Sequence, residues 1–367
     1  MEAPRSDEEG RGGFDPGQIA DTPDVLVAGT AHAWSWPTRE EIRRWVIAAL
    51  PSLGVAVAYY LTAKLGLQQE LVGDQVTPYW PPTGVALVAL LVLGIRIWPG
   101  IALGAFVVNA TIGSSIIAAT LITVGNTVAP VCAFLLLRWV GFRPQIDRRR
   151  DAVALVFLGA LGGMLLSATI GTAALLLTDL IPVNDFWSTW SVWWAGDAMG
   201  VLVVTPFLLV ILTNLRVPRG VPWLRWVEGG CLFASTLVVS VVATTSEYEI
   251  LFLVFPVLIW AALRFQIVGV APCALIVSTV AVVSAANDSG PFAEHGLLAN
   301  MATLQAFNGT TALTALVLAA IIAERNSAHE EVESAVNQLT AALGQLDRGS
   351  RIDLQMPPST PEIDDRA

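Results

Sequence analysis

Apolar residues occupy long uninterrupted blocks, at about 45–66, 82–96, 98–113, 115–139, 152–178, 188–214, 227–246, 249–264, 267–287 and 299–323. Runs of this length without two-residue alternation predict helices that cross a bilayer rather than half-buried strands. The second and third are short enough to be re-entrant or tightly packed pieces. The pattern therefore predicts an all-α, polytopic transmembrane helical bundle with about ten spans, eight at the fewest.

Arginine orders these blocks. Arg39, Arg43 and Arg44 precede the first; Arg96 separates the second and third; Arg138, Arg143, Arg148, Arg149 and Arg150 flank the turn between the fourth and fifth. Arg216, Arg219 and Arg225 follow the sixth, Arg264 ends the eighth and Arg325 follows the tenth. The intervening loops carry Glu70, Asp74, Asp179, Asp185, Glu247, Glu249, Asp288 and Glu294 and no arginine. Lys64, the single lysine, lies at the outer end of the first block, where it can snorkel to headgroups. Basic loops stay inside, so both termini are expected in the cytoplasm of a bacterial cell membrane.

Small residues mark two packing faces. Gly159, Gly163, Ser167 and Gly171 recur every fourth residue in the fifth block, as do Gly100 and Gly104 in the third. Such stripes let helix backbones approach closely.

Composition agrees with the class: 54% of the 367 residues are hydrophobic and the mean hydropathy is +0.64. The net charge of −10 comes mostly from the ends: residues 1–41 hold nine acidic and three basic groups, and 323–367 hold nine and four. Nothing suggests a nucleic-acid partner. Residues 1–41 read as a disordered acidic cytoplasmic tail, without the basic and apolar regions of a signal peptide. Cys132, Cys231 and Cys273 lie inside apolar blocks, and His32, His295 and His329 are scattered, so no metal site, cofactor or disulfide framework is expected.

A few polar residues interrupt the apolar blocks. Asp197 stands in WWAGDAMG (193–200), where a carboxylate costs on the order of 3 kcal/mol to insert and so marks a pathway, relay or ligand contact. Asn126 in GNT and Asn308 in NGT are each about ten residues into a span, on the order of 15 Å deep and near the level of Asp197. Their amides either line one cavity with Asp197 or hold helices together. YWPPTG (79–84) places tandem prolines at the first turn of the second block. Its Trp80, with Trp193 and Trp194, forms either a structural turn or an aromatic lip over such a cavity. The stretches ending at Arg96 and Arg264 also echo one another, which would make spans one to four a repeat of seven to ten.

YWPPTGVALVALLVLGIRIWPGIALGAFVVN (79–109), GNT, WWAGDAMGVLVVTP (193–206), WAALRF (260–265) and ALTALVLAAIIAERN (312–326) together resemble the first family of membrane-associated sensor domains, the MASE type. The resemblance covers about 42–326 and adds Asn109 to the candidate signal-binding residues. It implies the membrane input of a bacterial signalling protein, normally followed by a kinase, cyclase or other output module. Family members often carry a glutamate shortly after the GN pair, where this chain has Ala129.

About forty residues follow Arg325. Val332, Val336, Leu339, Leu343 and Leu346 step by four, three, four and three within a cytoplasmic amphipathic helix at 327–348. They predict either a solvated helix or a homodimer contact through span ten and 332–346; residues 349–367 read as disordered. His329 lacks the residues that follow a phospho-accepting histidine. The expectation is a non-enzymatic sensor that contacts membrane lipids, binds a signal around Asp197 and passes it through span ten to a separate signalling output protein. The alternative is a secondary transporter or permease using Asp197 as its midplane acid.

Overall fold

The structure is a computed structural model that describes residues 39–68, 77–112, 115–213, 220–287, 289–293 and 297–353. The acidic tail before residue 39, Glu70, Asp74, Arg216, Arg219, Asp288, Glu294 and the residues beyond 353 lie outside them, as do the side chains of Arg44 and Leu346. By internal contacts the chain divides into Met1–Trp45 and Val46–Ala367. In the first unit the described residues are helical; the second contains everything discussed below.

The regular elements among the described residues are all helical, without strands. The elements are α1 (Arg39–Leu67), α2 (Pro81–Leu93), α3 (Trp98–Thr111), α4 (Ile116–Trp139), α5 (Arg149–Ala154), α6 (Leu165–Leu177), α7 (Phe186–Met199), α8 (Thr205–Thr213), α9 (Trp223–Thr245), α10 (Val254–Ala286) and α11 (Leu297–Asp353). Wide π-type turns, Leu155–Gly162 and Gly200–Val204, carry α5 toward α6 and α7 into α8. Local chemistry sets several boundaries. Pro81 and Pro82 open α2, where a missing N–H costs no helical bond, and Gly94 ends it at φ 85°. The Ser115 hydroxyl caps α4 by accepting from Ala118 N at 3.1 Å.

Among the described residues, seven segments are long and apolar enough to cross a membrane: Ala49–Leu67, Ile116–Trp139, Arg149–Leu177, Val183–Thr213, Trp223–Thr245, Leu251–Ala286 and Ala299–Leu343. The expected count of about ten differs for physical reasons. The second and third blocks form helices of 13 and 14 residues, about 20 Å each against a hydrocarbon core of about 30 Å. The eighth and ninth form one long element that breaks at Gln266, where φ is 51°. The chain is a multi-pass helical membrane protein.

Burial locates the centre of the bundle. Val183–Thr213, which carries Asp197, is 72% buried over its most apolar window, against 28% for Ala49–Leu67 and Trp223–Thr245. Around it, α4 packs on α3 and α6, α10 on α9 and α11, and α2 on the Gly200–Val204 turn. A Cβ at Gly100 would lie 2.3 Å from Ser52 O of α1, and one at Gly104 2.8 Å from Tyr59 Cβ. In the other stripe, a Cβ at Gly163 would meet Ala133 Cβ of α4 at 2.6 Å, and one at Gly171 the Trp193 ring at 2.5 Å. Gly159 lies against Leu155 and Leu137.

Candidate functional site

The site is built where two backbones touch. Residues 77–80 run past α7 before α2 begins, and Trp80 N donates to Gly196 O at 3.1 Å. A Cβ at Gly196 would lie 2.4 Å from Thr77 O, one at Gly200 2.0 Å from Trp80 O, and one at Gly84 2.3 Å from Gly200 O. Glycine at these positions is required by close approach. YWPPTG and WWAGDAMG thus form one unit, and their apposition brings the first turn of α2 against Asp197. Thr83 Oγ1 donates to Asp197 Oδ1 at 2.5 Å.

Asp197 is 1% exposed. Its Oδ2 has no hydrogen-bond partner among the described residues. Ser167 and Trp193 come near as further donors, but Ser167 commits its one hydrogen to Asn126 Oδ1 at 2.9 Å. Tyr59, also 1% exposed, brings its hydroxyl within reach of Trp80, Asn126 and the Asp197 charge without forming a hydrogen bond of normal geometry. A cavity lies between these groups, lined by Thr77, Trp80, Asn109, Ile112, Asn126, Trp193 and Asp197. It leaves about 30 Å³ for the centres of water-sized occupants, against ~10–15 Å³ for one water. Among the described residues its lining contains no basic side chain.

Five of the residues singled out in the sequence therefore share one cavity: Asp197, Asn126, Asn109, Trp80 and Trp193. Asn109 is oriented by its own helix, with Nδ2 donating to Ala105 O at 2.8 Å. Two others lie elsewhere. Trp194 turns away, stacking on Trp190 at 5.9 Å and donating Nε1 to Leu161 O at 2.9 Å. Asn308 is fully buried in α11, and neither of its amide atoms has a hydrogen-bond partner among the described residues. The expected amide contact to Asp197 is replaced by Thr83, whose hydroxyl the glycine apposition delivers to the carboxylate, and Asn126 Oδ1 accepts from Ser167 instead.

Sequence reasoning missed Tyr59, Thr83 and Thr77, and treated Ser167 as packing alone. Thr83 lies inside YWPPTG and Thr77 two residues before it, so a local signal was present; Tyr59 lies in an ordinary apolar helix without one. Gln305 was also missed. It sits on α11 and donates Nε2 to Pro78 O at 2.8 Å, joining the long helix to the segment that lines the cavity.

The arginines occupy a different setting. Arg149 pairs with Glu324 of α11 at 2.9 Å, Arg143 with Asp147 at 2.5 Å, and Glu228 of α9 with Arg264 of α10. These ion pairs are partly or largely exposed. Beyond Glu324 the apolar residues Val332, Val336, Leu339 and Leu343 are each more than half exposed.

A helical membrane bundle with a buried acid, Asp197, beside a small polar cavity is the class these features define. The MASE1 family model matches residues 51–326, and the chain belongs to that family of membrane sensor input domains. A curated relative, the probable diguanylate cyclase DgcE of Escherichia coli (strain K12), is 27% identical over 237 residues. The match covers 60% of this chain and 20% of that protein, so the chain corresponds to about a fifth of its relative's length. No solved structure matches.

Proposed function

We propose that the chain is a non-enzymatic sensor that reads a signal at the Asp197 cavity and transmits it through α11 to a signalling output. The observation that carries this reading is the Gln305 to Pro78 hydrogen bond. Residues 77–80 line the cavity at Thr77 and Trp80, so an occupant that shifts them also shifts the point where they hold α11. From Gln305 to Asp353 the helix is continuous, and a rigid helix carries a small displacement or rotation along its length. A signal changes the output only by binding two arrangements of this contact unequally.

On the positive-inside rule the arginine end and the α11 extension face the cytoplasm, and Thr77 and Ile112 of the cavity lining lie toward the opposite side. The two short helices α2 and α3 and the break at Gln266 accommodate ten membrane-embedded pieces within the seven long segments and the short pair. The exposed seam at Val332, Val336, Leu339 and Leu343 supplies a contact for a second copy. Copies anchored in one membrane present this seam parallel and in register.

Spin labels at positions 150 and 334 of the full chain in nanodiscs test the relay. Asp197→Asn and Gln305→Ala are expected to change the distance distribution while leaving the oligomeric profile intact. An unchanged distribution in both variants overturns the proposal.

A further inference from the structure

The cavity has a chemistry specific enough to name its occupant. Its carboxylate is buried, with one oxygen held by Thr83 and the other, Oδ2, unpartnered among the described residues. Uncompensated charge in such a place is costly and calls for either a proton or a counter-ion. Neutral oxygens accompany it. Asn109 spends its nitrogen on Ala105 O, leaving Oδ1 as the available end, and Asn126 Oδ1 retains acceptor capacity beyond its bond from Ser167. Thr77 donates its hydroxyl hydrogen to Tyr79 O, so its oxygen also accepts. The remaining lining is Trp80, Trp193 and Ile112, and indoles attract cations to their faces.

We propose that this cavity binds one small monovalent cation, an alkali-metal or ammonium ion, with Asp197 Oδ2 as counter-charge and amide and hydroxyl oxygens completing its shell. The proposal rests on the sensor reading and names the class of occupant that reading lacks. Three observations select this class. The space, enough for about two or three waters, admits one small ion with water beside it. One carboxylate balances one positive charge, whereas a divalent ion would leave an excess charge buried. Among the described residues, no cluster of three or more His, Cys, Asp or Glu exists to hold a transition metal.

The test is the thermal stability of the full-length protein in nanodiscs, titrated with sodium, potassium, lithium or ammonium chloride against N-methylglucamine chloride at fixed ionic strength. At least one ion is expected to raise Tm saturably, as binding to the folded state requires. Asp197→Asn, close in size to aspartate, should abolish the rise. Asn126→Asp, which adds a second carboxylate, should shift the midpoint to roughly tenfold lower ion concentration. The assignment fails if none of the four ions gives a saturable rise, or if the rise persists in Asp197→Asn. Should Asp197→Asn not fold, an unshifted midpoint in Asn126→Asp is equally decisive against it. The α11 spin labels separate the two readings. Label movement in Asp197→Asn without ion binding removes the cation and keeps the sensor, whereas ion binding without label movement keeps the cation site and removes the relay.

Discussion

The cavity end and the arginine end of the bundle treat charge in opposite ways. At the cavity a single carboxylate is fully enclosed, bonded once and surrounded by neutral groups. At the other end acids face arginines: the Arg143–Asp147, Arg149–Glu324 and Arg264–Glu228 pairs remain open to solvent, and Asp151, 2% exposed, accepts from Arg143 N at 3.2 Å with the Arg143 guanidinium at 3.9 Å. Exposed pairs exchange water for protein contacts with little net gain, so their loss is tolerated. A buried acid with one partner has no such reserve. The number of ionic contacts is therefore a poor guide to where the molecule is vulnerable, and backbone apposition around one acid is a better one.

Substitutions sharpen this contrast in a definite order. Gly200→Ala should be the most damaging, because its new Cβ meets Trp80 O at 2.0 Å and the backbone must move. A loss of about 3 kcal/mol, or failure to accumulate as a monodisperse species, is expected from thermal unfolding and size exclusion. A wild-type Tm would show that α2 and α7 do not meet as described. Thr83→Val comes next. It removes the hydrogen bond to Asp197 at nearly constant volume and should cost about 1–3 kcal/mol, with Thr83→Ser recovering most of it. If Ser and Val behave alike, the hydroxyl does not support the carboxylate.

Gln266→Gly belongs to the arginine end, two residues from Arg264, and relieves a non-glycine φ of 51°. A gain of about 1 kcal/mol is expected, read as a higher Tm, and a decrease would contradict the break in α10. Arg149→Ala should have the smallest effect: its pair with Glu324 is exposed, and no resolvable shift in Tm is expected. A large drop there would erase the contrast between the two ends.

Much of the site was legible in the chain. Asp197 announced itself as a carboxylate in an apolar run, and Asn126, Asn109, Trp80 and Trp193 were selected with it. All but Asn109, which the family resemblance added, were selected because each sits in a motif that interrupts a hydrophobic pattern. Asn308 and Trp194 were selected on the same grounds and lie elsewhere. Depth along a helix follows from residue count, but the direction in which a side chain points depends on how that helix is rotated by its neighbours. Trp193 and Trp194 illustrate this: adjacent in sequence, one lines the cavity and the other stacks on Trp190 and bonds Leu161 O.

The sequence by itself determined the class of molecule, the helical blocks, the arginine order and the presence of a costly buried acid, because hydrophobicity and charge act locally along the chain. Only the tertiary structure decided which groups surround that acid. Tyr59, Thr83, Ser167 and Gln305 come from four separate helices and carry no shared local signal. Thr83 reaches the acid because glycine at positions 84, 196 and 200 permits two backbones to touch, and that contact exists only once the bundle is assembled.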